Sequence, residues 1–217
     1  CNHQGNFNLA LKMIDELKFF CNVDYVKFQK RNNKELLNFD KYNSPHPVPK
    51  NSFGNTYGEH REKLEFNLNQ HKKLKSYCKR LKMEAFTSVW DITSAKQILK
   101  LKPNNVKVPS ACNNNWNLMT YIFKNYKKNI HVSLGMTTQN EEKKIVTLAK
   151  KHKANKRLIL YACTSDYPVQ AENICLLEIQ RLIKKYGKTV KAIGFSGHHH
   201  GISADIAAAT LGAEWIE

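Results

Sequence analysis

The apolar positions along the chain alternate between a spacing of about 3.6 residues, typical of helices, and short continuous runs, typical of buried strands. Seven apolar runs are predicted as strands, and a stretch with helical spacing precedes each of them. The predicted helices cover residues 7–20, 59–80, 94–100, 115–127, 141–152, 172–186 and 202–211. The predicted strands cover residues 25–28, 85–89, 106–108, 130–133, 157–162, 190–195 and 214–216.

Strands that alternate with helices predict a parallel sheet covered by helices. Seven such units exceed a typical open doubly wound sheet and approach the eight units of a closed (β/α)₈ barrel. Because a helix opens the chain and a strand ends it, we expect a TIM barrel clipped at strand 1 and after strand 8. Residues 1–217 would then form one incomplete barrel domain. An open α/β sheet is the alternative.

The connection after the first predicted strand is roughly 30 residues long, which exceeds an ordinary βα loop. Its part at residues 43–60 contains three prolines. Long loops at this end of a barrel strand are often functional, so the segment is a candidate lid or substrate wall. A surface insertion without function is the alternative.

The composition is that of a soluble globular protein, with 41% hydrophobic and 24% charged residues. No apolar run of about 18 residues predicts a membrane helix, and no basic-then-apolar leader supports secretion. The net charge of +17 fits either a nucleic-acid surface or a lysine-rich protein with anionic substrates. We favour the second, because the lysines are scattered over helix faces without the interleaved aromatics of a base-stacking platform.

The six cysteines are spread singly along the chain. This spacing favours buried thiols of a cytoplasmic protein over a disulfide framework or a structural zinc site.

Two lysines interrupt otherwise apolar strands, at Lys27 and Lys107. A lysine that points into a barrel is costly unless an anion or a carboxylate meets it, so we expect anion binding or a structural ion pair. Lys27 shares a strand face with Gln29. Serine and threonine hydroxyls follow most of the other strands, so the predicted strand ends resemble a cradle for a phosphate and a carboxylate.

The segment GHHHG at 197–201 follows a strand and opens a helix. Imidazoles suit a divalent transition metal, and at least one of the three histidines is a candidate ligand. Because neighbouring strand residues point apart, we expect His198, which shares a face with Ser196, to bind the metal rather than His199 or His200.

Several motifs resemble those of the N-acetylneuraminate (sialic acid) synthase family, which includes legionaminic and pseudaminic acid synthases. They run in family order from one end of the chain to the other: NHQGN at 2–6, KFQKR at 27–31, TYGEHR at 56–61, LEF at 64–66, GM at 135–136, CTS at 163–165, YP at 167–168 and GFSGH at 194–198. The resemblance implies a (β/α)₈ barrel, Mn²⁺ or Mg²⁺ as cofactor, and phosphoenolpyruvate and an N-acylated amino sugar as substrates. It also implies a homodimer when the protein is full length, and a C-terminal antifreeze-like domain that this chain does not include.

The same resemblance assigns roles to individual residues. Those expected to contact phosphoenolpyruvate are Lys27, Ser88, Lys107, Ser110, Ser133, Ser165 and Ser196. Gln29 and Tyr167 would face the sugar, His198 would bind the metal, and Glu217 matches a family glutamate. Catalysis would rest on Lys27, Lys107, Tyr167 and Glu217. For Glu217 two roles are possible, proton transfer in the reaction or an ion pair with a barrel lysine.

The chain departs from the family at Cys112, where many members have an acidic residue. The family's strand-one glutamate would precede Cys1, and its second metal histidine would follow Glu217. The expected reaction condenses phosphoenolpyruvate with N-acetylmannosamine or a related sugar to give a nonulosonic acid and phosphate. The alternatives are another metal-dependent barrel aldolase or deoxy-sugar-acid synthase and, in a different class, a basic nucleic-acid-binding module.

Overall fold

The computed structural model describes residues 1–217, which form two compact units, Cys1–Asn104 (unit 1) and Asn105–Glu217 (unit 2). Both units alternate helices with parallel strands, and all seven predicted strands are present. Neither unit has a helix that is both long enough and apolar enough to cross a membrane.

Unit 1 contains two strands and six helices. They are α1 (Phe7–Phe19), β1 (Tyr25–Lys30), α2 (Asn33–Leu36), α3 (Phe39–Asn43), α4 (Tyr57–Lys63), α5 (Leu68–Arg80), β2 (Glu84–Val89) and α6 (Ile92–Lys100). The strands pair in parallel, and the register sets Gln29 opposite Ser88. Apolar residues of α1, α5 and β1, among them Ile14, Leu74 and Val26, form the core of this unit.

The single helix predicted over residues 59–80 is wrong, because two helices occupy this stretch. Between them, Phe66 is only 2% exposed, so the chain leaves helical geometry to bury an aromatic ring. Asn67 then starts α5 through a capping box, in which its side chain accepts from the Gln70 backbone while the Gln70 side chain accepts from the Asn67 backbone. Two short helices and a 3₁₀ turn at Pro49–Asn51, which the apolar spacing did not predict, structure the long connection before it.

Unit 2 contains five strands and four helices. They are β3 (Asn105–Val108), α7 (Trp116–Asn125), β4 (Asn129–Ser133), α8 (Gln139–Lys151), β5 (Leu158–Cys163), α9 (Leu177–Tyr186), β6 (Ala192–Ser196), α10 (Ser203–Thr210) and β7 (Trp215–Ile216). Its strands pair in parallel in chain order. Almost every residue of β3 to β6 is buried, as expected for strands of a parallel sheet.

The helix predicted over residues 172–186 is also wrong in its first part. A 3₁₀ turn at Ala171–Asn173 precedes Cys175, whose φ of 54° is incompatible with a right-handed helix. The α-helix therefore begins only at Leu177.

All six cysteines are free thiols. The expectation of buried thiols is confirmed for Cys78 and Cys112 and is wrong for Cys1, Cys21 and Cys175, which are exposed. These three lie near helix ends or at the start of the chain, where the core does not reach them.

Candidate functional site

In unit 1, the predicted site residues lie on one face of β1 and β2. Register partners of adjacent strands point to the same side, so Gln29 and Ser88 share a face, and Lys27 lies two residues before Gln29 on that face. Lys27 is exposed, whereas Ser88 is 3% exposed. Lys27 and Gln29 line a cavity of about 270 Å³ together with His3, and the buried Oε1 of Gln29 has no hydrogen-bond partner.

The end of β1 is held by an ion pair that the sequence reasoning did not single out. The Arg31 Nε atom lies 2.5 Å from Glu65 Oε1, and the Arg31 backbone N–H donates to the other carboxylate oxygen at 3.0 Å. The buried Asp91 carboxylate accepts from the Asn32 backbone at 2.7 Å and caps α6 through the Ser94 backbone. Arg31 and Glu65 belong to the KFQKR and LEF motifs, but only the fold shows that they pair.

In unit 2, the polar strand residues share one face. Lys107, Ser133 and Ser196 are 3%, 2% and 1% exposed. The register pairs Lys107 with His131, two residues before Ser133, and pairs Ser196 with Cys163. Because the side-chain period of a strand is two, these groups point to the same side of the sheet, with aliphatic residues between them.

Gly135 lies beside two of the predicted serines, Ser110 and Ser165. Its backbone N–H donates to Ser110 Oγ at 3.2 Å, and a Cβ built on Gly135 would overlap Ser165 Oγ and come within 3.2 Å of Cys163 Sγ. The absence of a side chain therefore lets Ser110, Ser165 and Cys163 approach the loop after β4. Asn113, which the sequence reasoning missed, holds this loop by donating to the carbonyls of Ser133 and Gly135 at 2.9 and 3.2 Å.

Three hydroxyl groups of this cluster are buried and have no hydrogen-bond partner, those of Ser133, Ser165 and Ser196. A buried hydroxyl without a partner costs about 1–3 kcal/mol. Three such groups in one unit are consistent with a ligand that supplies several acceptor oxygens.

Lys107 forms an ion pair with Glu217, whose side chain is 16% exposed. Anion binding and a structural ion pair, the two roles expected for Lys107, are both compatible with this contact. An ammonium group has three donors and can contact a carboxylate and an anionic ligand together. The pair joins two residues that are 110 positions apart in the chain.

Cys163 is the titratable thiol of this cluster. Burial raises the pKa of its thiol, but hydrogen bonds from His198 and Ser110 outweigh burial and bring the pKa down to about 7. The Ser110 Oγ to Cys163 Sγ distance is 3.6 Å. Its position in the CTS motif was the only sequence signal for this residue.

The three adjacent histidines diverge. His198 is half-buried, with Nδ1 3.3 Å from the Thr164 carbonyl and its ring 4.4 Å from that of Tyr167. The Nε2 atom of His199 lies 3.3 Å from Asp205 Oδ2 on α10, and His200 is exposed. Tyr167 is 71% exposed, and its ring contacts that of His198, another predicted site residue.

The residues of the chain fit a divalent metal only in part. His198 supplies one imidazole, but no group of three or more His, Cys, Asp or Glu side chains could hold an ion. Most protein sites for transition metals need at least three such ligands. The metal role of His198 therefore stays a prediction.

Known proteins resemble the chain over its whole length. It is 34% identical to N-acetylneuraminate-9-phosphate synthase of Mus musculus and 30% identical to N,N'-diacetyllegionaminic acid synthase of Campylobacter jejuni, covering 58% and 64% of their lengths. The crystal structure of N-acetylneuraminic acid synthetase from Leptospira borgpetersenii superposes with a TM-score of 0.84 at 27% identity, covering 100% of this chain and 68% of that one.

The chain thus spans less than two thirds of the curated relatives it matches. The superposition and the alternation of parallel strands with helices confirm the predicted fold class, a (β/α)₈ barrel represented in part. The model of the NeuB family matches residues 13–217. The chain belongs to the NeuB family, the sialic acid synthases.

Proposed function

We propose that the chain belongs to an enzyme that condenses phosphoenolpyruvate with an N-acylated amino sugar, such as N-acetylmannosamine, and releases phosphate. The observation that carries the proposal is the set of three unpartnered hydroxyls at Ser133, Ser165 and Ser196, in the unit that also buries Lys107. Phosphoenolpyruvate has acceptor oxygens for such donors and negative charge for the ammonium. The family membership supports the same substrate class.

In this proposal, the methylene carbon of phosphoenolpyruvate attacks the aldehyde carbon of the open-chain sugar. A carbon–carbon bond forms as the π bonds of the enol and of the aldehyde break, and the aldehyde oxygen takes up a proton to become a hydroxyl. Water then adds at the former enol carbon, which is now electron-poor, and loses a proton. The carbon–oxygen bond to phosphate breaks as the new hydroxyl becomes the ketone oxygen, and phosphate leaves. Lys107 and the serine hydroxyls orient the donor, which is where most of the rate enhancement of a two-substrate reaction can arise. To Glu217, which pairs with Lys107, the proposal assigns proton transfer between water and the intermediate.

Other roles stay predictions from the resemblance. These concern Lys27, Gln29 and Ser88 in unit 1 and Tyr167 in unit 2. They also concern a homodimer, a cytoplasmic location, and Mn²⁺ or Mg²⁺, which would polarise the sugar aldehyde when bound. None of the roles assigned above to the donor-binding residues involves the ion.

A pair of serine variants tests the donor site. Ser196→Ala removes an unsatisfied hydroxyl, so we expect unchanged or slightly higher stability of the ligand-free protein. Its affinity for phosphoenolpyruvate should fall about 10- to 150-fold, because a hydrogen bond to a charged group contributes about 1.5–3 kcal/mol. The matched control is Ser94→Ala in unit 1, where the hydroxyl donates to Asp91 Oδ2 at 2.8 Å. That variant should lose stability and keep donor affinity.

The assays are thermal unfolding, calorimetric titration with phosphoenolpyruvate, and phosphate release with a panel of N-acylated hexosamines with and without a phosphate ester. The panel is needed because the named relatives make different sugar acids. Absence of phosphoenolpyruvate-dependent phosphate release with every sugar would refute the proposal. Salt-sensitive binding to duplex nucleic acid would instead favour the alternative suggested by the charge.

A further inference from the structure

On the same face as the predicted donor-binding residues, unit 2 contains a buried polar network outside the motifs given above. His131 on β4 is 0% exposed, and Asn105 and Tyr161 on the two adjacent strands are each 1% exposed. His131 Nε2 lies 2.9 Å from Asn105 Oδ1, and His131 Nδ1 lies 2.8 Å from the Tyr161 hydroxyl. Both ring nitrogens are therefore satisfied inside the protein, which is the condition under which a buried imidazole is tolerated.

The direction of these hydrogen bonds follows from Asn105. Its Oδ1 atom can only accept, and it accepts from Asn129 Nδ2 at 2.9 Å as well as from His131. The His131 Nε2 atom must then carry a hydrogen. In the neutral ring, Nδ1 is left as an acceptor, so the Tyr161 hydroxyl donates to it. The hydroxyl is thus anchored by a chain of directed hydrogen bonds.

The ring of Tyr161 is held as firmly as its hydroxyl. Gly194 is its register partner on β6, and a Cβ built there would lie 2.7 Å from Tyr161 Cε1. Because Gly194 has no side chain, the Tyr161 ring can pack closely against β6. Trp215 packs in the same cluster, with its ring 4.8 Å from that of His131.

Lys107 lies over this fixed ring, with Nζ 5.0 Å from the ring centroid, and forms an ion pair with Glu217. A lysine ammonium ends a flexible four-carbon stem, so its position depends on the groups that surround it. An aromatic face beneath a desolvated cation attracts it and restricts where it can lie.

We propose that Tyr161 and His131 are positioning residues that hold the Lys107 ammonium against Glu217 and toward the anionic donor. This inference rests on the proposed function, because it names the groups that prepare the lysine for phosphoenolpyruvate. Neither residue needs to touch substrate. His131 orients Tyr161, and Tyr161 orients Lys107.

The test measures KM for phosphoenolpyruvate and for the sugar in the intact protein and in two variants. Tyr161→Phe keeps the ring but loses its anchor, and we expect the donor KM to rise about fivefold, equivalent to about 1 kcal/mol. Tyr161→Leu loses the aromatic face as well, and the donor KM should rise at least about 30-fold, equivalent to about 2 kcal/mol. The sugar KM should stay within twofold in both.

Tyr186→Phe is the matched control, because Tyr186 is also buried and also lies under a lysine, with Lys185 Nζ 5.1 Å from its ring centroid. It should leave the donor KM unchanged. A merely structural role of Tyr161 predicts a lower melting temperature with no selective rise in donor KM. If Tyr161→Leu does not fold, the conservative Tyr161→Phe variant still decides the question.

The two proposals fail in different ways. Wild-type protein without phosphoenolpyruvate-dependent phosphate release overturns the proposed function and this inference with it. Wild-type turnover together with an unchanged donor KM in Tyr161→Phe overturns the positioning role alone.

Discussion

The two units treat the same sequence feature differently. Each has a lysine within an apolar strand, but Lys27 in unit 1 is exposed, whereas Lys107 in unit 2 is 3% exposed and pairs with Glu217. Val26 is the one buried residue of β1, whereas β3 is buried along its whole length. The charge of a lysine in an apolar strand therefore needs a partner within the protein where the strand is buried, as at Lys107.

The buried histidines extend this comparison. His71 in unit 1 has no hydrogen-bond partner at Nε2, whereas His131 in unit 2 has partners at both ring nitrogens. Unit 1 thus buries an imidazole among aromatic rings, with Phe28 and Phe66 each 6.3 Å away. Unit 2 instead builds a polar network that connects to its ion pair. Unit 2 also contains four of the five predicted donor-binding serines, whereas Ser88 lies in unit 1.

The largest expected difference is between Lys107→Ala and Lys27→Ala. Removing one member of a buried ion pair typically costs about 3–5 kcal/mol, and Glu217 would lose the charge that Lys107 provides. Lys27 is exposed, so water screens its charge and its replacement should cost less than that of Lys107. Urea unfolding of the two variants measures the contrast. Equal stability losses would contradict the difference in electrostatic role between the units.

The second prediction concerns pH and His71. Burial, followed by the charges of Lys30 and His3, lowers the pKa of His71 to about 4 from its ordinary 6.5. The folded state thus favours the neutral ring, so the contribution of His71 to stability is complete above pH 6.5 and is lost as the pH falls toward 4. The loss can reach about 3 kcal/mol.

The measurement compares the free energy of unfolding at pH 7 and pH 4 for wild type and His71→Leu. The variant should lack most of this fall, while the fall due to His3, whose pKa is also lowered to about 4 by burial, remains. An identical pH dependence in both proteins would show that His71 is not buried in the neutral form.

A third prediction tests the crowding around Gly135. In Gly135→Ala the new methyl group would collide with Ser165 Oγ and lie 2.7 Å from Ser110 Oγ. Overpacking of this kind costs about 1–3 kcal/mol and would displace two predicted donor-binding serines. We expect lower stability together with weaker phosphoenolpyruvate binding. Gly201→Ala serves as the comparison, because a Cβ there meets no atom within 4 Å, although its φ of +77° adds backbone strain. Unchanged donor affinity in Gly135→Ala would remove Gly135 from the site.

The smallest expected effects should be alike in the two units. Asn67 in unit 1 and Thr138 in unit 2 each start a helix through a capping box. Replacing either by alanine should cost about 1 kcal/mol in thermal or urea unfolding. A much larger loss in one of them would show that its helix end carries tertiary interactions that the capping geometry does not explain.

Local pattern was sufficient to predict the number and type of most elements. The seven strands were predicted within about two residues at each end, because short apolar runs between helical stretches have few other interpretations. The errors fell where local signals compete. The 59–80 helix is interrupted so that Phe66 can be buried, and the 172–186 helix starts late because of the backbone at Cys175. The break at Phe66 depends on packing and the late start after Cys175 on one dihedral angle. The spacing of apolar residues along the chain indicates neither.

The sequence by itself determined the alternation of strands and helices, the polar residues at the strand ends and the family motifs, since each is encoded by neighbouring residues. Only the tertiary structure decided that Lys107 meets Glu217, that His131 and Tyr161 form a network below it, and that Ser133, Ser165 and Ser196 bury hydroxyls without partners. The physical reason is that burial and electrostatics are set by groups from distant parts of the chain. Lys107 and Glu217 are 110 residues apart, and no local pattern links them.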